Sequence, residues 1–183
     1  MNSNTIAVMP QTSPSGNVTA ETAFGLAPGN TVRAFVSLPP PIGNQGADAR
    51  EYVLRAAFLV TTGGAFTYAP SIRLYSGGNT ALTTFTNDTA IITPTPPTIS
   101  TTTRLIVIRA EIQWDPSGGA SSRLNGRYTW NVDSTQTNWV TLTAGLSAGV
   151  ASEAAIQFCI TGFFGTGNAS NQAILKYFEI DAV

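Results

Sequence analysis

The stretch Arg104-Leu-Ile-Val-Ile-Arg-Ala-Glu-Ile-Gln-Trp114 decides the fold class. Ile106, Ile108, Ala110, Ile112 and Trp114 fall on one face, and Leu105, Val107, Arg109, Glu111 and Gln113 on the other. A period of two is the mark of a strand. Asp115-Pro-Ser-Gly-Gly119 follows as a turn. Residues 123–133 then answer, with Leu124, Tyr128, Trp130 and Val132 on one side and Arg123, Asn125, Arg127, Thr129, Asn131 and Asp133 on the other. The two segments predict an antiparallel hairpin with one buried face.

Working outward, residues 51–62 alternate in the same way, with Tyr52, Leu54, Ala56, Phe58 and Val60 on one face. Gly63-Gly64 reads as a turn, and Phe66 to Tyr68 as the hairpin partner of that strand. A second short hairpin is expected from Ile72–Tyr75 and Leu82–Phe85 across Gly77-Gly78. Thr93-Pro-Thr-Pro-Pro-Thr98 is a stiff connector. Residues 31–38, 139–142, 155–164 and 173–183 read as further strands. In the last, Ile174, Phe178 and Ile180 share a face that Lys176 interrupts. Only residues 144–155 offer a helical turn, and Gly145 and Gly149 weaken it. Nine or ten strands with Gly/Pro turns predict an all-β antiparallel sandwich, of which a jelly roll fits best. The predicted core is Val32, Val36, Leu54, Phe58, Ile106, Ile108, Ile112, Tyr128, Trp130, Phe158, Ile160 and Phe178. It belongs to a domain over residues 31–183, with residues 1–30 as an extended N-terminal arm.

Composition excludes several functions. Of 183 residues, 10% are charged, the net charge is −1, His is absent and Cys159 is the single cysteine. A Ser-His-Asp or Cys-His nucleophile is impossible. So are a His-ligated zinc site and an intrachain disulfide. No basic tract would grip nucleic acid. Met1-Asn-Ser-Asn-Thr5 lacks the basic and apolar regions of a secretory signal. The apolar run Leu105–Ile108 is far shorter than the ~20 residues of a membrane helix. Neither nucleic acid nor membrane is therefore an expected partner.

Low charge is itself informative. A monomer of this size exposes roughly 8,400 Å², so 19 charges give about one per 440 Å². So thin a coat suits a surface covered by other protein better than a solitary monomer.

The chemical candidates are few. Glu111 and Asp115, if both lie in the strand, sit ~13 Å apart, too far for a glycosidase pair. Glu111 with Arg109 or Arg127 reads more simply as a surface ion pair. Asn87-Asp88 and Asp133-Ser134 could offer oxygens to Ca²⁺, but no loop gathers several acids. No catalytic, metal or cofactor residues are therefore assigned, and no cofactor is expected. Cys159 reads as a small core residue. Trp139, after Thr135-Gln-Thr-Asn138, is the tryptophan best placed to meet a sugar. Leu105 and Val107 are large and apolar on what should be the wet face, which makes them candidates for a protein contact. Alternatively the Pro-rich segment 94–98 covers them. In the arm, Thr5, Ile6 and Val8 could add as a strand to a partner's sheet edge.

Short Thr-rich strands, hydroxyl-rich loops, almost no Lys and the closing Tyr177-Phe-Glu-Ile-Asp-Ala-Val183 resemble the small jelly-roll virion proteins of tailed bacteriophages. The style is similar to capsid decoration, or cement, proteins. The resemblance implies a homotrimer on the outer surface of a phage head, with the major capsid protein as partner. It also implies a virion location after synthesis in the host cytoplasm. The alternative is a carbohydrate- or receptor-binding β-sandwich module of a head or tail fibre. An enzyme is the third reading, and it has no identifiable machinery.

Overall fold

In a computed structural model, residues 11–12, 19–25, 35–38, 50–75, 81–85, 88–115, 123–145 and 156–182 are described. The hairpin of residues 104–133 forms in the expected register. Strand β8 (Arg104–Asp115) pairs antiparallel with β9 (Arg123–Val132), from Ile106 opposite Val132 to Asp115 opposite Arg123. The described strands before it are β1 (Gln11–Thr12), β2 (Thr22–Ala23), β3 (Phe35–Leu38), β4 (Arg50–Thr61), β5 (Phe66–Tyr75), β6 (Thr89–Ile92) and β7 (Thr98–Ile99). Those after it are β10 (Thr135–Gln136), β11 (Val140–Gly145), β12 (Ile156–Phe164) and β13 (Gln172–Ala182). One sheet runs β1-β13-β4-β8-β9, and β9 also pairs with β10 and β11. The other runs β2-β12-β5-β6, with β3 on β12 and β7 on β5. All pairings are antiparallel, so the chain is an all-β sandwich.

The core lies between the sheets. Leu54, Phe58, Ile106, Ile108, Ile112, Tyr128, Phe158, Ile160 and Phe178 are buried as expected, and Trp130 packs half-buried at the margin. Val32 lies outside the described residues, as does the side chain of Val36. The Phe24, Phe58 and Tyr68 rings pack in sequence at 5.6 and 6.2 Å, joining the sheets through aromatic contact.

Three local expectations are corrected. Gly63-Gly64 does not close a hairpin: both edges of β4 are taken, by β8 and β13, so the chain crosses and β5 enters the opposite sheet. Thr62 anchors the crossing by donating to the Gly64 and Ile99 carbonyl oxygens at 2.6 and 3.1 Å. Secondly, β5 runs unbroken through Pro70 and pairs with β6, so Leu82–Phe85 is not its hairpin strand. Pro70 sits where the edge facing away from β12 has no ladder partner, because β7 pairs only with Phe66–Thr67 and the pairing with β6 begins at Ile72. A missing N–H costs nothing at such a gap. Thirdly, β13 carries a bulge between Leu175 and Tyr177. The extra residue, Lys176, resets the alternation. Ala173, Leu175, Phe178 and Ile180 face inward, whereas Ile174 is only half-buried.

Of the expected arm, residues 11–12 and 19–25 are described, and Gln11–Thr12 pairs with β13. Thr22–Ala23 pairs with β12, Phe24 is buried in the core, and Glu21 accepts from Arg73 Nε at 2.7 Å. Of the expected helical turn, Ala144 and Gly145 belong to β11 and residues 146–155 lie outside the described set.

Candidate binding face

The outer face of the larger sheet gathers the candidate residues. Register sets its rows, because side chains directly opposite on neighbouring strands share a face. One row reads Asp181, Val53, Glu111, Arg127, Thr141. The next reads Glu179, Arg55, Arg109, Thr129. The third reads Tyr177, Ala57, Val107, Asn131, and the fourth Ile174, Leu59, Leu105. The face is therefore charged at one end and apolar at the other.

At the charged end a cleft of about 640 Å³ is lined by Glu51, Val53, Arg109, Glu111, Gln113, Arg127 and Thr141, among others. Its groups hold one another in place. Glu111 accepts from Arg127 Nε at 2.7 Å through one carboxylate oxygen and from Arg109 Nη2 at 3.3 Å through the other. Gln113 donates to Glu51 at 3.0 Å. Arg55 donates to Glu179 at 3.1 Å and to Asp181 at 2.6 Å. The Glu179 bond, ahead of the Asp181 one, raises the Arg55 pKa above its ordinary value.

Gly126 shapes this part of the sheet. A Cβ there would stand 2.0 Å from the Glu111 carbonyl oxygen, so only glycine lets β9 approach β8 so closely. Sequence reasoning missed it, although a glycine inside a strongly alternating strand was the available signal.

Trp139 borders the cleft and is 39% exposed. Thr137 fixes the approach to it. Its amide donates to the Trp130 carbonyl oxygen at 2.9 Å, and its hydroxyl accepts from the Trp130 amide at 3.1 Å. Strand β11 then starts at Val140 opposite Tyr128. The Arg127 guanidinium lies 4.6 Å over the indole.

At the apolar end Leu105 is 38% exposed and Tyr177 36%. Val107, Leu59 and Ile174 are half-buried beside them. The connector 94–98 does not bury Leu105. Leu105 and Val107 therefore share a face with the cleft but not its lining, about 20 Å along β8 separating Leu105 from Glu111. Thr5, Ile6 and Val8 lie outside the described residues, as do the side chains of Trp114 and Asp115. The Asp133 carboxylate is already engaged, accepting from the Leu105 amide at 3.0 Å and from Arg104 Nη1 at 2.6 Å. Cys159 is fully buried. Among the described residues no group of three or more His, Cys, Asp or Glu could hold a metal ion. No helix among them is long and apolar enough to cross a membrane.

Comparison with solved structures agrees with this architecture. The seed lectin of Lotus tetragonolobus aligns over 100% of this chain and 91% of its own, with a TM-score of 0.50 and 6% identity. Lectin I of Ulex europaeus, solved with the methyl glycoside of α-L-fucose, covers 100% and 90% at TM-score 0.44 and 11% identity. The CBM2 module of the evolved Dit of Lactobacillus casei BL23 phage J-1 covers 80% and 67% at 0.36 and 10%. No protein-family model matches the chain, and no curated protein does. At such identities the likeness is one of fold. The chain is an all-β antiparallel sandwich of jelly-roll type.

Proposed function

We propose that this chain is a non-enzymatic carbohydrate-binding module that takes a hydroxyl-rich glycan into the cleft on its larger sheet. Fold does not name function, so the cleft carries the reading. Its planar guanidinium, carboxylate and amide groups hold one another in position, which suits paired hydrogen bonds to sugar hydroxyls. Trp139 stands beside Arg127 of the cleft, 39% exposed, with the guanidinium over one ring face, and its other face would stack against a sugar's C–H face. Both carboxylate oxygens of Glu111 are engaged by arginines, an arrangement for holding a ligand rather than for moving a proton. The single observation behind this reading is the adjacency of that self-braced polar cleft to an exposed, positioned tryptophan. A glycan array followed by calorimetry tests it. Binding to a defined glycan, weakened at least tenfold in Trp139→Ala, is expected, and an array without a single reproducible hit overturns it.

The apolar end of the face favours a second reading. In it the protein is a head decoration, or cement, protein of a phage virion, seated on the major capsid protein. Co-sedimentation with empty phage heads supports it if Leu105→Glu abolishes the association. Recovery of the protein wholly in the supernatant counts against it.

A further inference from the structure

We infer that the cleft selects an acidic saccharide, one bearing a carboxylate, phosphate or sulfate group that lies on Arg109. The inference rests on the glycan reading of the cleft and names the class of glycan. Arg109 stands in β8 directly opposite Arg55 of β4, on the outer face of the larger sheet. Like charges at directly opposed positions destabilise a sheet. Arg55 donates to Glu179 and Asp181 on β13, so those carboxylates lie beyond Arg55 as seen from Arg109. Arg109 is left with Glu111, two residues along its own strand, at 3.3 Å. That is longer than the ~2.7–2.9 Å of a good charge-assisted bond. The Arg109 side chain is 52% exposed, and an exposed pair so stretched adds little stability. A residue that costs the sheet and gives the fold little in return marks a functional position.

The charges of the cleft say what Arg109 takes. Glu111 already serves Arg127, whose Nε and Nη2 lie 2.7 and 2.6 Å from Oε2. Two guanidiniums therefore share one carboxylate, which leaves a local surplus of positive charge. Arg109 keeps N–H groups to spare, and its planar fork matches an oxyanion better than a lone hydroxyl. The other end of the cleft has the opposite character. Glu51 there accepts from the neutral Gln113 amide at 3.0 Å, a bond that does not offset its charge. Gln113 is about 14 Å from Arg109 along β8. The cleft thus draws an anion toward Arg109 and repels it from Glu51, which orients the bound chain.

A glycan array that pairs acidic glycans with their neutral counterparts tests this, followed by calorimetry on the strongest hit. Uronic acids, phosphate esters and sulfate esters are arrayed separately, and inorganic phosphate and sulfate are run alone. Hits are expected among the acidic glycans. The neutral counterpart, with its carboxyl reduced or its ester removed, should bind about tenfold more weakly or worse. Arg109→Gln should bring the two affinities close together, and Arg109→Lys should keep part of the difference, because it keeps charge without the fork. Arg109→Gln should also melt no lower than wild type, since Arg55 loses a like-charged neighbour. A clear fall in its melting temperature would make Arg109 a structural ion-pair partner and counts against the inference. An acidic preference that survives in folded Arg109→Gln overturns it. So does binding of the free inorganic anions as tight as that of the glycan. Neutral hits that weaken in Trp139→Ala and not in Arg109→Gln overturn it too, while leaving the cleft a glycan site. An array without a hit removes the glycan reading of the cleft, and this inference with it.

Discussion

Arg127 and Trp139 form a stacked pair, the guanidinium 4.6 Å above the indole while its N–H groups hold Glu111. At an exposed site such stacking is worth only about 0.5–1 kcal/mol. It is too weak to place the indole alone, and the Thr137 bonds to Trp130 carry that task. Replacing Arg127 with Lys keeps the charge but loses the planar fork. Arg127→Lys should weaken glycan binding about five- to tenfold while the melting temperature falls by no more than about 2 °C. Calorimetry and a thermal melt measure the two effects. Trp139→Phe should retain more binding than Trp139→Ala, because a ring face remains.

Gly126→Ala tests how the cleft is built. The new Cβ would meet the backbone of Glu111, which cannot swing aside as a side chain can. Strands β8 and β9 must part locally, at a cost of about 2–4 kcal/mol. Chemical denaturation should show that loss. Glycan binding should fall with it, since Glu111 and Arg127 sit on the two strands that separate.

Legibility in the sequence followed the reach of each signal. The hairpin of residues 104–133 could be read because the two faces of each strand differ in kind and the Asp115-Pro-Ser-Gly-Gly119 turn separates the strands. The closing strand was misread at Ile174 because one inserted residue, Lys176, inverts parity, and alternation alone cannot register an insertion. The partner of β5 was misread because periodicity states which side chains share a face, not which sheet a strand joins. Leu105 and Val107 stood out because apolar residues on a wet face break a local rule. Trp139 stood out by its polar surroundings. The cleft itself was beyond reach, for it needs Glu51, Arg109, Arg127 and Thr141 from four strands brought into register.

Tyr68 and Phe58 predict opposite effects in the same core. Their rings are 6.2 Å apart and both are buried. Phe58→Ala removes a fully buried ring and should cost about 3–5 kcal/mol. The Tyr68 hydroxyl is buried without a hydrogen-bond partner. Burying such a group costs about 1–3 kcal/mol, so Tyr68→Phe should raise stability by about 1 kcal/mol. Gly162 makes room for that hydroxyl, a Cβ there falling 2.2 Å from it. Gly162→Ala should therefore be less damaging in the Tyr68→Phe background, a coupling that a double-mutant cycle reads directly.

Asp133 predicts how stability changes in acid. It occupies the turn after β9 with φ 53°, a conformation that Asn tolerates as well as Asp does. The Leu105 amide, and after it the Arg104 guanidinium, hold its carboxyl below the ordinary carboxylate value of 3.8. A folded pKa below the unfolded one contributes stability above the unfolded value, and that contribution is lost as pH falls through the folded one. Asp133→Asn should thus melt below wild type at pH 7, and the gap should close as the pH is taken well under 3.8. The carboxyl is 39% exposed and its partner Arg104 43%, so salt should shrink the gap as well. Melting curves of both proteins across pH, at low and high salt, measure it. A gap that stayed constant down to acid would mean that Asp133 acts through its turn geometry and not its charge.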